Sequence, residues 1–178
     1  MANEDPIDFE SVVVPHLDEA YNLARWLMRG ASEAEDVVQE AMLRAFTYFR
    51  TFQGTNARAW ILKIVRNTAY TALRERQDST VTLPLDTGDG EEWSFPTAIA
   101  DPDASPEALF AKAQEHELLE TLLAELPVIL RECIILHEFN GLSYKEIAAI
   151  TDTPIGTVMS RLWRARRALI KFAARSDR

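Results

Sequence analysis

Apolar residues recur every three or four positions through most of the chain, a spacing that predicts α-helices rather than strands. In the segment "SEAEDVVQEAMLRAFTYF", the stripe that we expect to face the core consists of Val38, Ala41, Met42, Ala45, Phe46 and Phe49. Ser32 and Glu35 stand three residues apart at its start, which is typical of a capping box. The pattern therefore predicts a helix capped by Ser32.

The opposite side of this helix presents a surface strip made of Asp36, Gln39, Glu40 and Leu43. Acidic helix faces are often simply solvated, and that is one interpretation. A leucine among carboxylates also fits a face that docks on another protein, because an exposed apolar side chain gains from being covered. The pattern alone leaves both interpretations open.

A second long helix is predicted from about Arg58 to Arg76, with an apolar side formed by Ile61, Leu62, Val65, Ala69, Ala72 and Leu73. Its other side combines aromatic, basic and amide residues: Trp60, Lys63, Asn67, Tyr70 and Arg74. This mixture suits unpaired nucleic acid, because bases stack on rings, amides bond base edges and cations hold phosphates. The alternative is that the aromatic side chains pack against a neighbouring helix.

Helix signals return in the C-terminal part of the chain. Ser105 and Pro106 mark the start of a helix that reaches about Glu125, and Pro127 opens another over 128–139. A short helix, a tight turn and a longer basic helix follow, an order that suggests a helix-turn-helix.

The boundaries of these last two helices also follow from local signals. Gly141 ends the preceding helix, and Ser143 with Glu146 forms a second predicted capping box before "YKEIAAI". Thr153 and Pro154 then open the last helix.

The last helix has one apolar and one basic face. The face that we expect to point inward consists of Val158, Leu162, Ala165 and Leu169. The outward face and its flanks contain Thr157, Met159, Ser160, Trp163, Arg164, Arg166 and Arg167. Outward arginines can pair with DNA phosphates or reach guanine edges in the major groove. The alternative is a solvated helix whose cations complement its dipole, which accounts for the final arginines but not for those near its start.

Charge changes sign along the chain, whose formal net charge is −9. Residues 78–107 contain eight acidic residues and no Lys or Arg, whereas residues 154–178 contain seven Lys or Arg and the single acid Asp177. A local basic face can bind phosphate even when the whole molecule is acidic. We interpret the acidic stretch as a linker, either a solvated tether or a segment that uses Trp93 and Phe95 to occupy a groove on a partner.

Several classes of protein are disfavoured. Cys133 is the only cysteine, so an intramolecular disulfide is impossible, and we expect it to be a small buried side chain. No phosphate-binding loop, nucleophile elbow or metal-ligand cluster is present, which argues against an enzyme, and no cofactor is expected. No apolar run is long enough to span a membrane and the N-terminus is acidic, so we expect a cytoplasmic protein without membrane insertion.

Three segments carry a family resemblance: "EDVVQEAMLRAF", "ARAWILKIVRNTAY" and "LPVILRECIILHEFNGLSYKEIAAITDTPIGTVMSRLWRARRAL". They closely resemble bacterial RNA polymerase sigma factors of the extracytoplasmic-function (ECF) group. The resemblance implies an all-α protein with two small helical domains, regions 2 and 4, at 1–77 and 107–178, joined by a flexible acidic linker at 78–106. It also implies that the chain binds core polymerase, directs promoter-specific initiation and is controlled by an anti-sigma factor.

The resemblance also implies roles for single residues. A polymerase-binding set would contact the clamp coiled coil of the largest subunit, while the flap of the second-largest subunit is a further expected partner. That set is Asp36, Gln39, Glu40, Leu43 and Arg44. Trp60, Lys63, Asn67, Tyr70 and Arg74 correspond to the region that holds the melted minus-ten element, where a base is turned out of the stack.

The last helix corresponds to the reader of the minus-thirty-five element. Met159, Ser160, Trp163 and Arg164 would approach bases, with Thr157 beside them, while Arg161, Arg166 and Arg167 would meet phosphates. Some members carry arginine where this chain has Met159, and a thioether cannot make arginine's paired contact to guanine. It would pack on a thymine methyl or a sugar instead.

Two alternatives come from a different class, that of binding modules without initiation activity. A plain helix-turn-helix regulator has no need of the Trp60 face. A sigma-like mimic that sequesters an anti-sigma factor would lack DNA-contacting residues, whereas Asn67, Arg161 and Arg164 are present.

Overall fold

The computed structural model describes residues 8–52, 56–79 and 117–176, and these contain helices and no strand. The predicted all-α class is confirmed. The N-terminal half, up to residue 79, contains α1 (Phe9–Val13), α2 (Leu17–Met28), α3 (Ala31–Tyr48) and α4 (Ala57–Ser79). The C-terminal half, from residue 117, contains α5 (117–125), α6 (Val128–Ile134), α7 (Tyr144–Thr151) and α8 (Ile155–Ser176).

Three short segments connect these helices with other geometries. Val14–His16 and Phe49–Thr51 are 3₁₀ turns, and Ile135–Phe139 continues α6 as a π-helix. Most of the predicted acidic linker, including Trp93 and Phe95, lies outside the described residues. So do the helix start predicted at Ser105 and Pro106 and part of the turn predicted before α4.

The N-terminal half is a bundle in which α2, α3 and α4 pack on one another. Its centre is made of fully buried aliphatic side chains, among them Leu23, Leu27, Ile61 and Leu62. The apolar side predicted for α4 is confirmed at its centre, where Val65 and Ala69 are also buried. Burying each large side chain contributes about 1.5–3 kcal/mol, so this small bundle depends on a few leucines and isoleucines.

The start of α3 differs from the prediction. The helix begins at Ala31 after an extended Gly30, and no side chain bonds to its first turn, so the capping box predicted at Ser32 and Glu35 is wrong. Arg29 adopts a left-handed conformation with φ of 64°, which ends α2 so abruptly that the next helix starts at once. Ser32 is therefore already inside the helix.

The buried stripe of α3 agrees only in part with the prediction. Ala41 and Ala45 are buried as predicted, but the stripe also includes Ala34 and Val37, while Val38 and Met42 are half-buried. Phe46 was expected in the core, but it is 67% exposed. The small alanines let α3 lie close to α2 and α4, and this turns the face that carries Phe46 toward solvent.

The C-terminal half contains the predicted helix-turn-helix. Its second capping box is confirmed: the Glu146 amide donates to Ser143 Oγ at 3.3 Å, and the Ser143 amide donates to Glu146 Oε2 at 2.8 Å. Asp152, in the left-handed region with φ of 50°, ends α7 and starts the tight turn into α8. Val158, Leu162 and Ala165 bury the inner face of α8, as predicted, and Leu169 is half-buried.

The two halves pack against each other, α4 on α7 and α2 on α6, and their buried residues form one contiguous apolar cluster. Polar contacts also cross the boundary. Lys63 bonds Asp152 at 2.6 Å, and Arg66 bonds the buried carboxylate of Glu132 at 2.8 Å. Arg58 donates to the backbone carbonyl of Asn140. We call this packing the closed arrangement.

Candidate nucleic-acid and polymerase interfaces

The outer face of α8 brings together most of the residues that the sequence assigned to duplex DNA. Met159 and Trp163 are 52% and 58% exposed. The Arg167 guanidinium lies 4.7 Å from the centre of the Trp163 ring, and Arg164 reaches Ser160 Oγ at 3.4 Å. Apolar and cationic groups thus alternate on one solvent-facing surface whose rigid helical backbone fixes their spacing.

Two arginines of α8 stand apart from this face. Arg161 is only 17% exposed, and its Nη1 lies 3.7 Å from the Glu132 carboxylate, inside the protein. Arg166 pairs with Glu138 at 2.6 Å, and that hydrogen bond raises the pKa of Arg166 above its ordinary value. Both cations are therefore engaged by carboxylates of the same half, Glu132 in α6 and Glu138 in the π-helix that follows it.

On α4, Trp60 packs on aromatic side chains that lie earlier in the chain. Its ring centre is 4.9 Å from that of Phe52 and 6.4 Å from that of Phe49. Phe49 in turn meets Phe9 edge to face at 5.3 Å. Trp60 therefore packs within the protein, as one of the two interpretations of its sequence proposed. It nevertheless remains partly exposed.

The middle of the polar side of α4 is covered by the C-terminal half. Lys63 is paired with Asp152, as described above. Tyr70 is half-buried, and burial is the main cause that raises the pKa of its hydroxyl well above the ordinary range. Asn67 and Arg74 remain exposed on the same side. Of the five residues predicted to hold melted DNA, these two are the most accessible in the closed arrangement.

Arg66 and Glu132 are important residues that the sequence patterns did not single out. Glu132 is fully buried and lies between two cations, Arg66 and Arg161. Burial alone lowers the pKa of Arg66, but its hydrogen bond and charge interaction with Glu132 outweigh this and raise it. A clue was present in "VILRECIIL", where an Arg–Glu pair interrupts an apolar run and must find partners if buried.

The acidic strip of α3 is confirmed as a surface feature. Asp36, Gln39 and Glu40 are exposed, and Leu43 is 65% exposed. Arg44 bonds Glu40 at 2.8 Å on the same face. Phe46 lies one turn beyond Leu43, so the apolar part of this surface is larger than the sequence pattern indicated.

The part of the chain that the structure describes contains neither a metal-ligand cluster nor a membrane-spanning helix. Within it, no group of three His, Cys, Asp or Glu residues could hold a metal ion. No helix within the described ranges is long and apolar enough to cross a membrane. Cys133 is fully buried, as expected, and burial raises the pKa of its thiol to about 11.

Both halves of the chain match models of one protein family. Residues 12–79 match the family model for sigma-70 region 2, and residues 116–169 match that for sigma-70 region 4. The chain is 34% identical to the RNA polymerase sigma-H factor of Pseudomonas aeruginosa over 168 residues, 92% of this chain and 84% of that protein. It is 35% identical to the ECF RNA polymerase sigma-E factor of Escherichia coli K12 over 140 residues, 78% of this chain and 73% of that protein.

Two solved structures also resemble this chain over most of its length. The sigma factor RpoE of Bartonella quintana, in complex with the anti-sigma factor NepR, matches with a TM-score of 0.72 and 28% identity. That match covers 94% of this chain and 97% of the other. CnrH, in complex with the cytosolic domain of CnrY, shares the fold with a TM-score of 0.63 and 21% identity, over 93% of this chain and 87% of the other.

The two matches fall on a helical bundle with an acidic surface strip and on a helix-turn-helix with an exposed basic face, and they place the chain among the sigma-70-type transcription factors. The two family models together span most of the chain, in the order region 2, then region 4. The chain belongs to the ECF group of this family, the RNA polymerase sigma factors that direct core polymerase to promoters.

Proposed function

We propose that three surfaces of the chain divide the work of a sigma factor. The α3 strip, with Arg44, docks on the clamp coiled coil of the largest polymerase subunit. The polar side of α4, through Trp60, Lys63, Asn67, Tyr70 and Arg74, holds the melted minus-ten element. The outer face of α8 reads the minus-thirty-five duplex.

The exposure of the α8 face is the observation that carries this proposal. Met159 and Trp163 are exposed apolar side chains. Their contact with water is unfavourable unless a partner covers them, so this surface is typical of a binding site. Met159, Ser160, Trp163 and Arg164 meet base edges, and Thr157 flanks them. Arg167 meets phosphate directly. Arg161 and Arg166 reach phosphate only after exchanging their carboxylate partners for it.

The proposed domain division is 1–77, 78–106 and 107–178. It is supported by the boundaries of the family matches, which end at residue 79 and resume at residue 116. The acidic segment between them connects two modules that meet separate promoter elements.

The closed arrangement hinders binding of the melted strand. Lys63 must exchange Asp152 for a phosphate, and Tyr70 is half-buried near Glu132 and Arg161 of the C-terminal half. The two halves therefore separate when the protein enters an open promoter complex. Ion pairs are suitable contacts for such a boundary, because DNA phosphates can replace carboxylates one for one.

An anti-sigma factor is the expected regulator. Two solved structures that resemble this chain are complexes, the sigma factor RpoE with the anti-sigma factor NepR and CnrH with the cytosolic domain of CnrY. A partner of that kind would cover the exposed apolar residues of α3 or α8. The chain itself catalyses no reaction and works in the cytoplasm, where polymerase and promoters are.

Promoter-specific transcription by reconstituted polymerase tests the proposal. Core polymerase with the purified chain should give a defined run-off transcript from a promoter selected out of a genomic library, and core polymerase alone should give none. Asn67→Ala should reduce open-complex formation, measured by permanganate footprinting, far more than binding of the duplex. Equal loss of both would contradict the role given to α4.

The same assay separates the alternatives. A sigma-like mimic would bind core polymerase without producing a specific transcript. A plain helix-turn-helix regulator would bind duplex DNA without binding polymerase. Glu40→Lys reverses a charge of the strip and should abolish polymerase binding without changing duplex binding. Glu35→Lys, on the same helix but outside the strip, is the control and should leave both unchanged.

A further inference from the structure

A cavity of about 160 Å³ lies on the seam between the two halves, and its described lining is rich in arginine. Arg25, Trp26 and Arg29 line it from the end of α2. Glu120, Ala124 and Arg131 line it from α5 and α6. Three guanidinium groups and a single carboxylate among these six residues give the cavity wall a positive charge.

Arg131 is the unusual member of this set. The residue is 97% buried, since its relative exposure is 3%, yet its Nε has no hydrogen-bond partner among the residues that the structure describes. Its Nη1 makes a long hydrogen bond of 3.4 Å to the Ala124 carbonyl. A buried cation without a counter-charge is costly, often by several kcal/mol, so such groups are normally paired.

Electrostatics around Arg131 agree with this geometry. Burial is the largest cause that lowers the pKa of its guanidinium, to about 10, and the nearby charge of Arg29 lowers it further. No described salt bridge joins Arg131 to a carboxylate, in contrast to Arg58, Arg66 and Arg161. The site has the donors and the charge for an anion.

From this geometry we infer that the cavity binds a small phosphate-bearing anion, held by Arg131 together with Arg29. Guanidinium groups match phosphate oxygens with paired hydrogen bonds, and several arginines together favour a doubly charged group over a single carboxylate. The cavity has room for a phosphate group and part of the molecule that carries it. Trp26, which is nearly buried, supplies an apolar wall.

Such a ligand would also act on the closed arrangement, because it touches residues of both halves. A ligand that binds only when α2 and α6 are together shifts the equilibrium toward that state. This consequence rests on the proposed function, since it predicts that phosphate weakens binding of the melted minus-ten strand to α4. The binding itself does not depend on it.

Binding is tested on the full chain without DNA or polymerase. The midpoint of thermal unfolding is followed while sodium chloride is replaced by sodium phosphate at constant ionic strength, and a second titration uses a nucleoside monophosphate. We expect a saturable rise for the wild type with either phosphate source, and the tighter one indicates whether the free ion or a phosphomonoester is preferred. Arg131→Met, which keeps the side-chain volume, should weaken binding at least tenfold.

Two further variants keep the test decisive. Arg29→Asn removes the second cation, and asparagine tolerates the left-handed conformation at this position, so the turn should survive even if Arg131→Met fails to fold. Arg50→Gln removes an exposed arginine outside the cavity and should bind phosphate like the wild type. Equal stabilisation of all variants, or sodium acetate binding as tightly as phosphate, would overturn the proposal.

If phosphate binds as expected but leaves the affinity for a single-stranded minus-ten oligonucleotide unchanged, the site stands and its coupling to the closed arrangement is wrong. If phosphate does not bind while run-off transcription is intact, the site is wrong and the proposed function stands. The two failures are thus distinguishable.

Discussion

Met159 is an exposed thioether on a helix whose other exposed side chains are mostly polar or cationic. We expect Met159→Arg to change the preferred base at one position of the minus-thirty-five element toward guanine. A new paired contact to guanine is worth about 1–3 kcal/mol, which corresponds to roughly a 5- to 150-fold change in discrimination. Run-off transcription from a randomised promoter pool measures it directly.

Ile170→Arg is the matched control for that change. Ile170 is 69% exposed on the same helix but lies three turns beyond Met159, outside the proposed base-reading residues. It adds the same charge, so it reports general electrostatic attraction to DNA. If both variants shift the promoter preference alike, or neither does, the contact assigned to Met159 is wrong.

Cys133 illustrates a residue whose chemistry is suppressed by its position. Its thiol is buried and has a pKa of about 11, so almost none of it is thiolate at neutral pH. We expect the native chain to react with a thiol reagent at least a hundred times more slowly than the chain in guanidinium. A fast reaction under native conditions would show that α6 opens readily.

Residues that depend on local spacing could be predicted, and those that depend on distant partners could not. Ser143 and Glu146 cap α7 as their spacing indicates, whereas Ser32 does not cap α3, because the abrupt end of α2 sets where α3 begins. For Arg131 and Glu132, the sequence showed only that two charged residues interrupt an apolar run. Their situations differ because segments far apart in sequence pack together: Glu132 pairs with two arginines, whereas no described carboxylate pairs with Arg131.

At the scale of elements, the capping box of α7 makes a measurable contribution. Ser143→Ala should lower the free energy of unfolding by about 1 kcal/mol, because it leaves a helix N-terminal amide without its acceptor. Ser160→Ala, on the exposed face of α8, is the control and should change stability much less. Denaturant unfolding at neutral pH checks both values.

The contribution of this cap depends on pH. Hydrogen bonds from the Ser143 side chain and backbone hold the pKa of Glu146 below its ordinary value of 4.5. Since the folded state lowers this pKa, the stabilisation is present above the ordinary value and is lost as the pH falls through the folded one. The difference in stability between wild type and Glu146→Gln should therefore shrink in acid, and a difference that grew there would contradict the assignment.

The order of the helices could be predicted because the 3.6-residue period is clear in α7 and strong in α8. The face of α3 was harder to assign. The pattern placed Ala41 and Ala45 in the core correctly, but it missed Ala34 and Val37 and included the larger Phe46, which close helix packing leaves outside. The exposure of Met159, Ser160, Trp163 and Arg164 on α8 could be predicted from this period, whereas the partial covering of the α4 face follows from the packing of both halves.

For the whole molecule, the boundary between halves should open when its ion pairs are weakened. Glu132→Gln combined with Asp152→Asn removes the carboxylates that hold Arg66 and Lys63, and asparagine preserves the left-handed turn at 152. We expect the radius of gyration from small-angle scattering to increase. The isolated chain should also bind a single-stranded minus-ten oligonucleotide several times more tightly.

Glu138→Gln is the control for this variant, because Glu138 pairs with Arg166 within the C-terminal half. It removes a carboxylate without touching the boundary and should leave the radius of gyration unchanged. Circular dichroism at the start of each measurement establishes that the helices remain. An unchanged radius and unchanged oligonucleotide affinity in the double variant would mean that apolar packing alone maintains the closed arrangement.

The position of Glu132 has a consequence for exchanging modules between sigma factors. Its carboxylate belongs to the C-terminal half, but it pairs with Arg66 of the N-terminal half as well as with Arg161 of its own. A chimera that takes only one half from this chain therefore lacks part of the Arg66–Glu132–Arg161 triad. A C-terminal half lacking that carboxylate would leave Arg66 free to attract any polyanion. The chimera would then occupy DNA indiscriminately even though each of its modules reads its own promoter element correctly.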